Sequence, residues 1–583
     1  MQTKSNKVAP EYYRGPKDRQ PGLSSNFDQL HIKDHISSHF PHIHHHDQPG
    51  EIICGPLLRY AGINYVTQQW QGSILIVSTH LDAPPVNFQL IESVTQRKEW
   101  IKLRVEKLGS FRGMYHFWRY DVRLPMSEYE QLATYSLMDG TCFEFHLPLF
   151  YKSMRFMFYS CNGFSDVPQE IRNKFGEKKA PLWQDVLDRH KVMPFHVMLG
   201  GGDQLYQDRM TKEDFMKTWI QEKNPSKRLA MRMTQEMKDG FENFYFWNYI
   251  KSFRILLMGM VHTLQKCRIQ SVFKHTTIEL ASEHGMIRGT LPTCNHIIST
   301  LGPDIGFLAL DCRGERTKFE ICRQTSYDTV FKRLNSMMPS TVKHLLVLTG
   351  VPLIYPRLSL FEHLMDGAAG FNLATIAGKT GALGNIISGQ LNKWNGDPEL
   401  LDDMNDHWTA GNHVHCCGSG KLFSKDMKGK EEGDPYLMVQ IVSSAIVNVP
   451  PPQALLTILN RNSSYSTFNG NVEEKMYHLF KYSPNGHSRQ NKILMGMRNY
   501  CAGYYDEKTK KINFWIQVEK EVGVKGTLGY LVDVPRLLFG QAGYHIYHQN
   551  KKQLLAEYGE LGGHQQRRHH HFKDAIDSHL VRF

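Results

Sequence analysis

The chain has 583 residues, too long for one compact core, and at roughly 100–200 residues per domain it divides into two to four. Hydrophobic residues make up 41% and aromatic residues 11%, which excludes the disordered, collagen-like and disulfide-stapled classes for the bulk of it. Lysine and arginine (69) exceed aspartate and glutamate (57), giving +12, a balance that suits anionic ligands or acidic surfaces and falls far below a dedicated nucleic-acid binder.

Residues 1–50 are rich in Pro, His, Ser and Gln and read as a disordered arm. The arm ends in Phe40-Pro41-His42-Ile43-His44-His45-His46-Asp47, either a loose metal binder or a solvated polar tract. The first twenty residues are polar, with no secretory apolar core. The apolar stretch at 255–261 is far shorter than the ~20 residues that span a bilayer. Ten cysteines are sparse and lack paired zinc-type spacing. The expectation is a cytoplasmic protein with reduced thiols, with peripheral membrane contact left open by the basic surface.

From 51 to 150 the pattern predicts a small β-sandwich domain. Ser73-Ile74-Leu75-Ile76-Val77 has buried-strand length, and Trp118, Tyr120, Val122 and Leu124 alternate with Arg119, Asp121 and Arg123, which places the latter on a wet face. From 151 to 545 strands alternate with helices, an α/β (α+β) pattern. Arg155-Phe156-Met157-Phe158-Tyr159 predicts a strand, Pro181 opens a helix with the stripe Trp183, Val186 and Leu187, and Phe195-His196-Val197-Met198-Leu199 predicts a second strand. Met237, Phe241, Phe244 and Trp247 predict a long buried helix over 232–258. Further strands are expected at 305–311 and 345–348, an apolar run at 437–449, and a hairpin joining 500–505 to 512–518. Residues 546–583 read as a polar tail.

Two of these strands run out into ligand-capable residues: Ser160-Cys161-Asn162-Gly163 after the first and Gly200-Gly201-Gly202-Asp203 after the second. In open α/β sheets ligands collect at the carboxyl ends of strands. Glycines there let backbone approach closely, and Asp203 either presents a carboxylate able to bridge two cations or caps a turn. Tyr206 follows three residues later.

His196-Val197-Met198-Leu199-Gly200-Gly201-Gly202-Asp203-Gln204-Leu205-Tyr206 resembles the metal-binding strand end of PhoD-like phosphatases, in the calcineurin-type metallophosphoesterase superfamily. Ser160-Cys161-Asn162-Gly163-Phe164-Ser165, Leu310-Asp311-Cys312-Arg313-Gly314-Glu315-Arg316-Thr317, Leu345-Leu346-Val347-Leu348-Thr349-Gly350 and Ile441-Val442-Ser443-Ser444-Ala445-Ile446-Val447-Asn448 are similar to further blocks of its fungal-type branch. The resemblance runs from about residue 54 to 535. It implies a two-sheet sandwich flanked by helices, preceded by the β-domain, with a metal centre at the strand ends. It further implies Cys161 as a thiolate ligand to iron, Asp203 as the bridging carboxylate, Tyr206 as a phenolate ligand, and calcium or another divalent metal as partner ion. A metal-activated water would then hydrolyse a phosphate mono- or diester. Arg313 and Arg316 either hold phosphate oxygens or pair with acids such as Glu315.

Two departures accompany the resemblance. The Asp-Asp-His-Asp stretch the family places after its long helix is missing between Met258 and His275. Beyond Trp408 only 409–413 precede Val414-His415-Cys416-Cys417-Gly418. His415 is the expected ligand of that block, and His413 is either the first histidine of a His-x-His pair or the last residue before a missing segment. Lost ligands weaken a multinuclear site. The alternative expectation is therefore an inactive relative retained as a binding or scaffold protein.

Overall fold

The computed structural model describes residues 50–137, 140–165, 167–256, 263–264, 296–315, 322–350, 354, 416–430, 433–434, 437–451, 456–457, 464–467 and 472–536. The two terminal segments expected as arm and tail, and both His tracts, lie outside the described residues.

The amino-terminal strands are β1 (Ile52–Asn64), β2 (Gln69–Ser78), β3 (Asn87–Glu92), β4 (Lys98–Trp100), β5 (Arg104–Phe111), β6 (Tyr115–Pro125), β7 (Gln131–Ser136) and β8 (Cys142–Leu147). They form two antiparallel sheets, ordered β1-β2-β6-β5 and β4-β3-β7-β8. Trp118, Tyr120, Val122 and Leu124 of β6 bury one face against Trp70, Phe88 and Phe145. The opposite face is not wholly wet: Arg119 is buried, held 2.8 Å from Glu106 and 2.9 Å from Asp121. Its charge is tolerated there because both partners come with it.

The rest of the described chain contains β9 (Phe156–Tyr159), α1 (Gln169–Lys174), α2 (Pro181–Val192), β10 (Val197–Gly200), α3 (Lys217–Gln221), α4 (Pro225–Ala230), α5 (Gln235–Leu256), β11 (Thr263–Leu264), β12 (Ile297–Thr300) and β13 (Ile305–Ala309). There follow α6 (Cys312–Glu315), α7 (Gln324–Met337), β14 (His344–Leu348), β15 (Cys417–Ser424), β16 (Met438–Ser443), β17 (Ser464–Thr467), β18 (Val472–Met476), β19 (Asn499–Asp506), β20 (Lys511–Glu519) and β21 (Thr527–Val534). One sheet is ordered β11-β10-β9-β19-β20-β21. Facing it are the sheets β12-β13-β14 and β16-β15-β18-β17. Phe156, Val197, Leu199, Phe514 and Ile516 from the first share one core with Ile297, Ile305, Phe307 and Cys417 from the others. This is the expected sandwich. Helices cover its outer faces: α2 lays Leu182, Trp183 and Val186 on Met157, Tyr159 and Trp515, leaving Leu187 half-buried. Helix α7 lays Tyr327, Val330, Phe331 and Leu334 on Ile298, Leu308 and Leu310.

Helix α5 departs from expectation. Met237, Phe241, Phe244 and Trp247 are only half-buried, and Phe246, Tyr249 and Ile250 are the buried set. The helix lies on the outside of the first β-sheet, with the Phe246 ring stacked 4.3 Å from Phe111. Aromatic residues surround its axis, so periodicity alone does not select the buried face. Beyond it, β11 runs parallel to β10 at the sheet edge, Thr263 opposite Met198. Among the described residues no helix is long and apolar enough to cross a membrane, and the described cysteines are free.

Candidate metal centre

Strands β9 and β10 are parallel neighbours, Tyr159 opposite Gly200, so their carboxyl ends open on the same side. Each chain then turns sharply. Cys161 and Asp203 both adopt left-handed backbone, with φ of 50° and 54°. Neither residue type enters that region without cost, and such strain persists only where surrounding structure holds it. Here the holding contacts are mutual: Cys161 N–H donates to the Gly202 carbonyl (3.0 Å) and Asn162 N–H to the Asp203 carbonyl (2.9 Å). The two turns thus form one unit. They bring Cys161 Sγ within 3.9 Å of Asp203 Oδ2.

Tyr206 closes over this unit. Its ring lies so near Gly163 that a Cβ there would stand 2.8 Å from Cδ2, so the glycine provides the room. The phenol stands beside the Cys161 thiol. Burial, then the neighbouring charge of Asp203, pushes the Cys161 thiol up to about 11, although bonds from Ser444, Ser160 and Tyr206 pull the other way. Burial, then Cys161 and Asp203, raises the Tyr206 phenol well above its ordinary value. With no cation present both groups keep their protons at neutral pH. A bound cation would have to displace two protons, so its affinity should rise with pH.

A third segment, the turn after β16, walls the far side. Ser444 Oγ lies 3.2 Å from Cys161 Sγ, and Asn448 Nδ2 donates to the Tyr206 hydroxyl at 2.8 Å. In the sequence this block belongs to the resemblance, but nothing there marks its residues as part of the site. The available signal was three polar residues, Ser443, Ser444 and Asn448, following an apolar strand.

Of the residues expected at the site, Cys161, Asp203 and Tyr206 come together. Arg313 sits in α6, just beyond β13. His413, His415 and Arg316 lie outside the described residues.

A second cluster has metal-like spacing. Ligand atoms of His296, Glu315 and Cys322 lie within 4.8 Å of one another, beside α6 and α7. Its hydrogen bonds describe something else. His296 Nδ1 accepts the Asp311 N–H at 2.8 Å, so the ring proton is on Nε2, 3.3 Å from Glu315 Oε1. Binding a cation through Nε2 would require the ring proton to move to Nδ1, which breaks the bond from the Asp311 amide. Glu315 meanwhile accepts from Ser326 Oγ (2.9 Å) and Arg323 N–H (3.2 Å). Two other buried histidines repeat the arrangement: His196 Nδ1 accepts from Arg155 N–H (3.0 Å) and His190 Nδ1 from Phe195 N–H (3.1 Å). In each, the histidine satisfies a buried backbone amide.

The sequence model of the PhoD related phosphatase family matches residues 126–258, 270–392 and 409–535. An uncharacterized protein of Saccharomyces cerevisiae is 28% identical over 606 aligned residues, covering 81% of this chain and 84% of that one.

Proposed function

The chain belongs to the PhoD related phosphatase family, and from that premise we propose that it hydrolyses phosphate mono- or diesters at a metal centre built on Cys161, Asp203 and Tyr206. The carrying observation is the paired left-handed turn that holds Cys161 and Asp203 together under Tyr206. Strain of this kind concentrates at functional sites. The donor set fits the metals the resemblance implies: thiol and phenol become soft or anionic ligands suited to iron, and carboxylate oxygens suit calcium.

When bound, the metals supply an acidified water for in-line attack on phosphorus. Asp203 would hold the cations through its carboxylate and supply negative charge to them. Cys161 and Tyr206 would serve as thiolate and phenolate ligands, each giving up its proton to a bound cation. His415 and His413 are assigned as further ligands, and Arg313 as a bidentate partner for phosphate oxygens. Residues 51–150 are read as a β-domain whose core is continuous with that of the strands carrying the centre.

The second reading is a binding protein without turnover. One observation favours it: the family match is interrupted at 259–269 and 393–408, and the first of these interruptions falls where the Asp-Asp-His-Asp stretch is missing. Hydrolysis of an aryl phosphate and its diester by wild type and Asp203→Asn, with iron and calcium supplied and metal content measured, separates the two. Turnover by wild type alone supports the hydrolase. Two proteins that are equally inert and equally metal-free leave the binding role.

A further inference from the structure

We infer that Ser444 and Asn448 are positioning residues for the Cys161–Tyr206 pair, each holding one hydrogen-bond donor against one ligand atom; this rests on the metal-centre reading above. The geometry allows little else. Asn448 Oδ1 accepts the Val449 N–H at 2.8 Å and faces Ser165 N and Oγ at 3.4 Å, so the amide cannot flip and Nδ2 must point at Tyr206. A carboxamide nitrogen only donates, so the Tyr206 oxygen must accept at 2.8 Å. Its own proton is therefore free to face Cys161. Ser444 Oγ lies 3.2 Å from Cys161 Sγ, and its hydroxyl is the donor that a thiolate ligand at that position would need.

The turn that carries both residues is laced to the strands of the site. Ile446 N–H donates to the Ser160 carbonyl (3.1 Å), and Val447 and Asn448 N–H to the Cys161 carbonyl (3.3 Å each). From below, Asn499 at the start of β19 clamps it: Nδ2 donates to the Ser444 carbonyl (2.7 Å), N–H to the Ala445 carbonyl (3.0 Å), and Oδ1 accepts from Ser443 Oγ (2.9 Å). Strand β19 pairs directly with β9, so the donors and the Cys161 turn rest on one rigid sheet. In a buried site two ligand anions without donors would be too basic and too mobile, and groups that orient and neutralise ligands tune the metal itself.

The experiment loads the full chain with ferric iron and reads the visible charge-transfer absorption of iron with phenolate and thiolate. Tyr206→Phe and Cys161→Ser serve as controls and should each remove part of the absorption. Ser444→Ala and Asn448→Ala should shift the remaining band to longer wavelength, because an anion deprived of its donor is easier to ionise. They should also weaken iron binding about 10–100-fold. Ser444→Thr restores the hydroxyl and should restore both values. Should Ala at 448 unfold the turn, Asn448→Ser keeps a neutral acceptor near Val449 N–H, is too short to donate to the Tyr206 oxygen, and should give the same red shift. Wild-type band and affinity in the Ser444 and Asn448 variants, with the two controls behaving as stated, overturn the positioning role alone. A wild type that takes up no iron, or controls that change nothing, overturns the metal centre and this inference with it.

Discussion

Two buried clusters in this protein each set a thiol beside a carboxylate, and they differ in where their protons and lone pairs go. Around His296 the one imidazole lone pair is taken up by a backbone amide. The imidazole accepts a backbone amide, its remaining proton faces Glu315, and Glu315 accepts two further bonds. Around Cys161 the Ser444 hydroxyl and the Asn448 amide stand against the Cys161 and Tyr206 ligand atoms, while the backbone on both strands is held in a costly conformation. Short spacing between ligand atoms therefore does not by itself tell a metal site from a hydrogen-bonded cluster. Hydrogen-bond direction discriminates better.

The sharpest way to break the comparison is at Asp203. Asp203→Asn keeps the shape and removes the charge that the proposed centre needs to balance its cations, and should lower phosphate-ester turnover by at least about 100-fold, with metal content falling in parallel. A variant that keeps its turnover would remove Asp203 from the centre. The next largest effect is acid lability of the amide-accepting histidines. Burial, then His146, holds His190 down at about 3, and burial, then Arg155, holds His196 at about 4. Their folded values lie below the unfolded ~6.5, so the stability they allow is complete above that pH and is lost as pH falls from there toward 4. Each should contribute a slope of about 1.4 kcal/mol per pH unit in that window, read by urea denaturation. A flat profile between pH 6.5 and 5 would contradict their neutral burial.

His296→Ala tests the other cluster. It orphans the Asp311 amide and should cost about 1–3 kcal/mol of folding stability while leaving metal content unchanged. Loss of bound metal in this variant would reverse the assignment of the two clusters. The smallest change is Gly163→Ala. Its new Cβ would meet the Tyr206 ring at 2.8 Å, so the ring must move, at about 1 kcal/mol in stability. Iron affinity, measured by titration, should drop several-fold.

The elements legible from the sequence were those whose signal is local. The parallel pair β9 and β10 declared themselves as short apolar runs, and Pro181 marked the start of α2. The hairpin β19–β20 was readable from two apolar segments around a charged turn. The face of α5 was not, because its aromatic residues encircle the axis and only the sheet beneath decides which are buried. Arg119 was misplaced on a wet face for a similar reason: alternation reports the polarity of a side chain, and its burial depended on Glu106 from the neighbouring strand.

By its own order of residues the sequence determined that Cys161 and Asp203 each follow a buried strand, and that Tyr206 stands one short turn beyond. These are relations across a few positions, set by covalent connection and strand period. Only the tertiary structure decided that the strands are parallel neighbours, that Ser444 meets Cys161 across 283 positions, and that Asn448 meets Tyr206 across 242. It also decided that His296 spends its acceptor on a backbone amide rather than keeping it for a cation. The physical reason is that a hydrogen bond depends on the position and direction of two groups in space. Sequence distance constrains neither once the chain has folded back on itself.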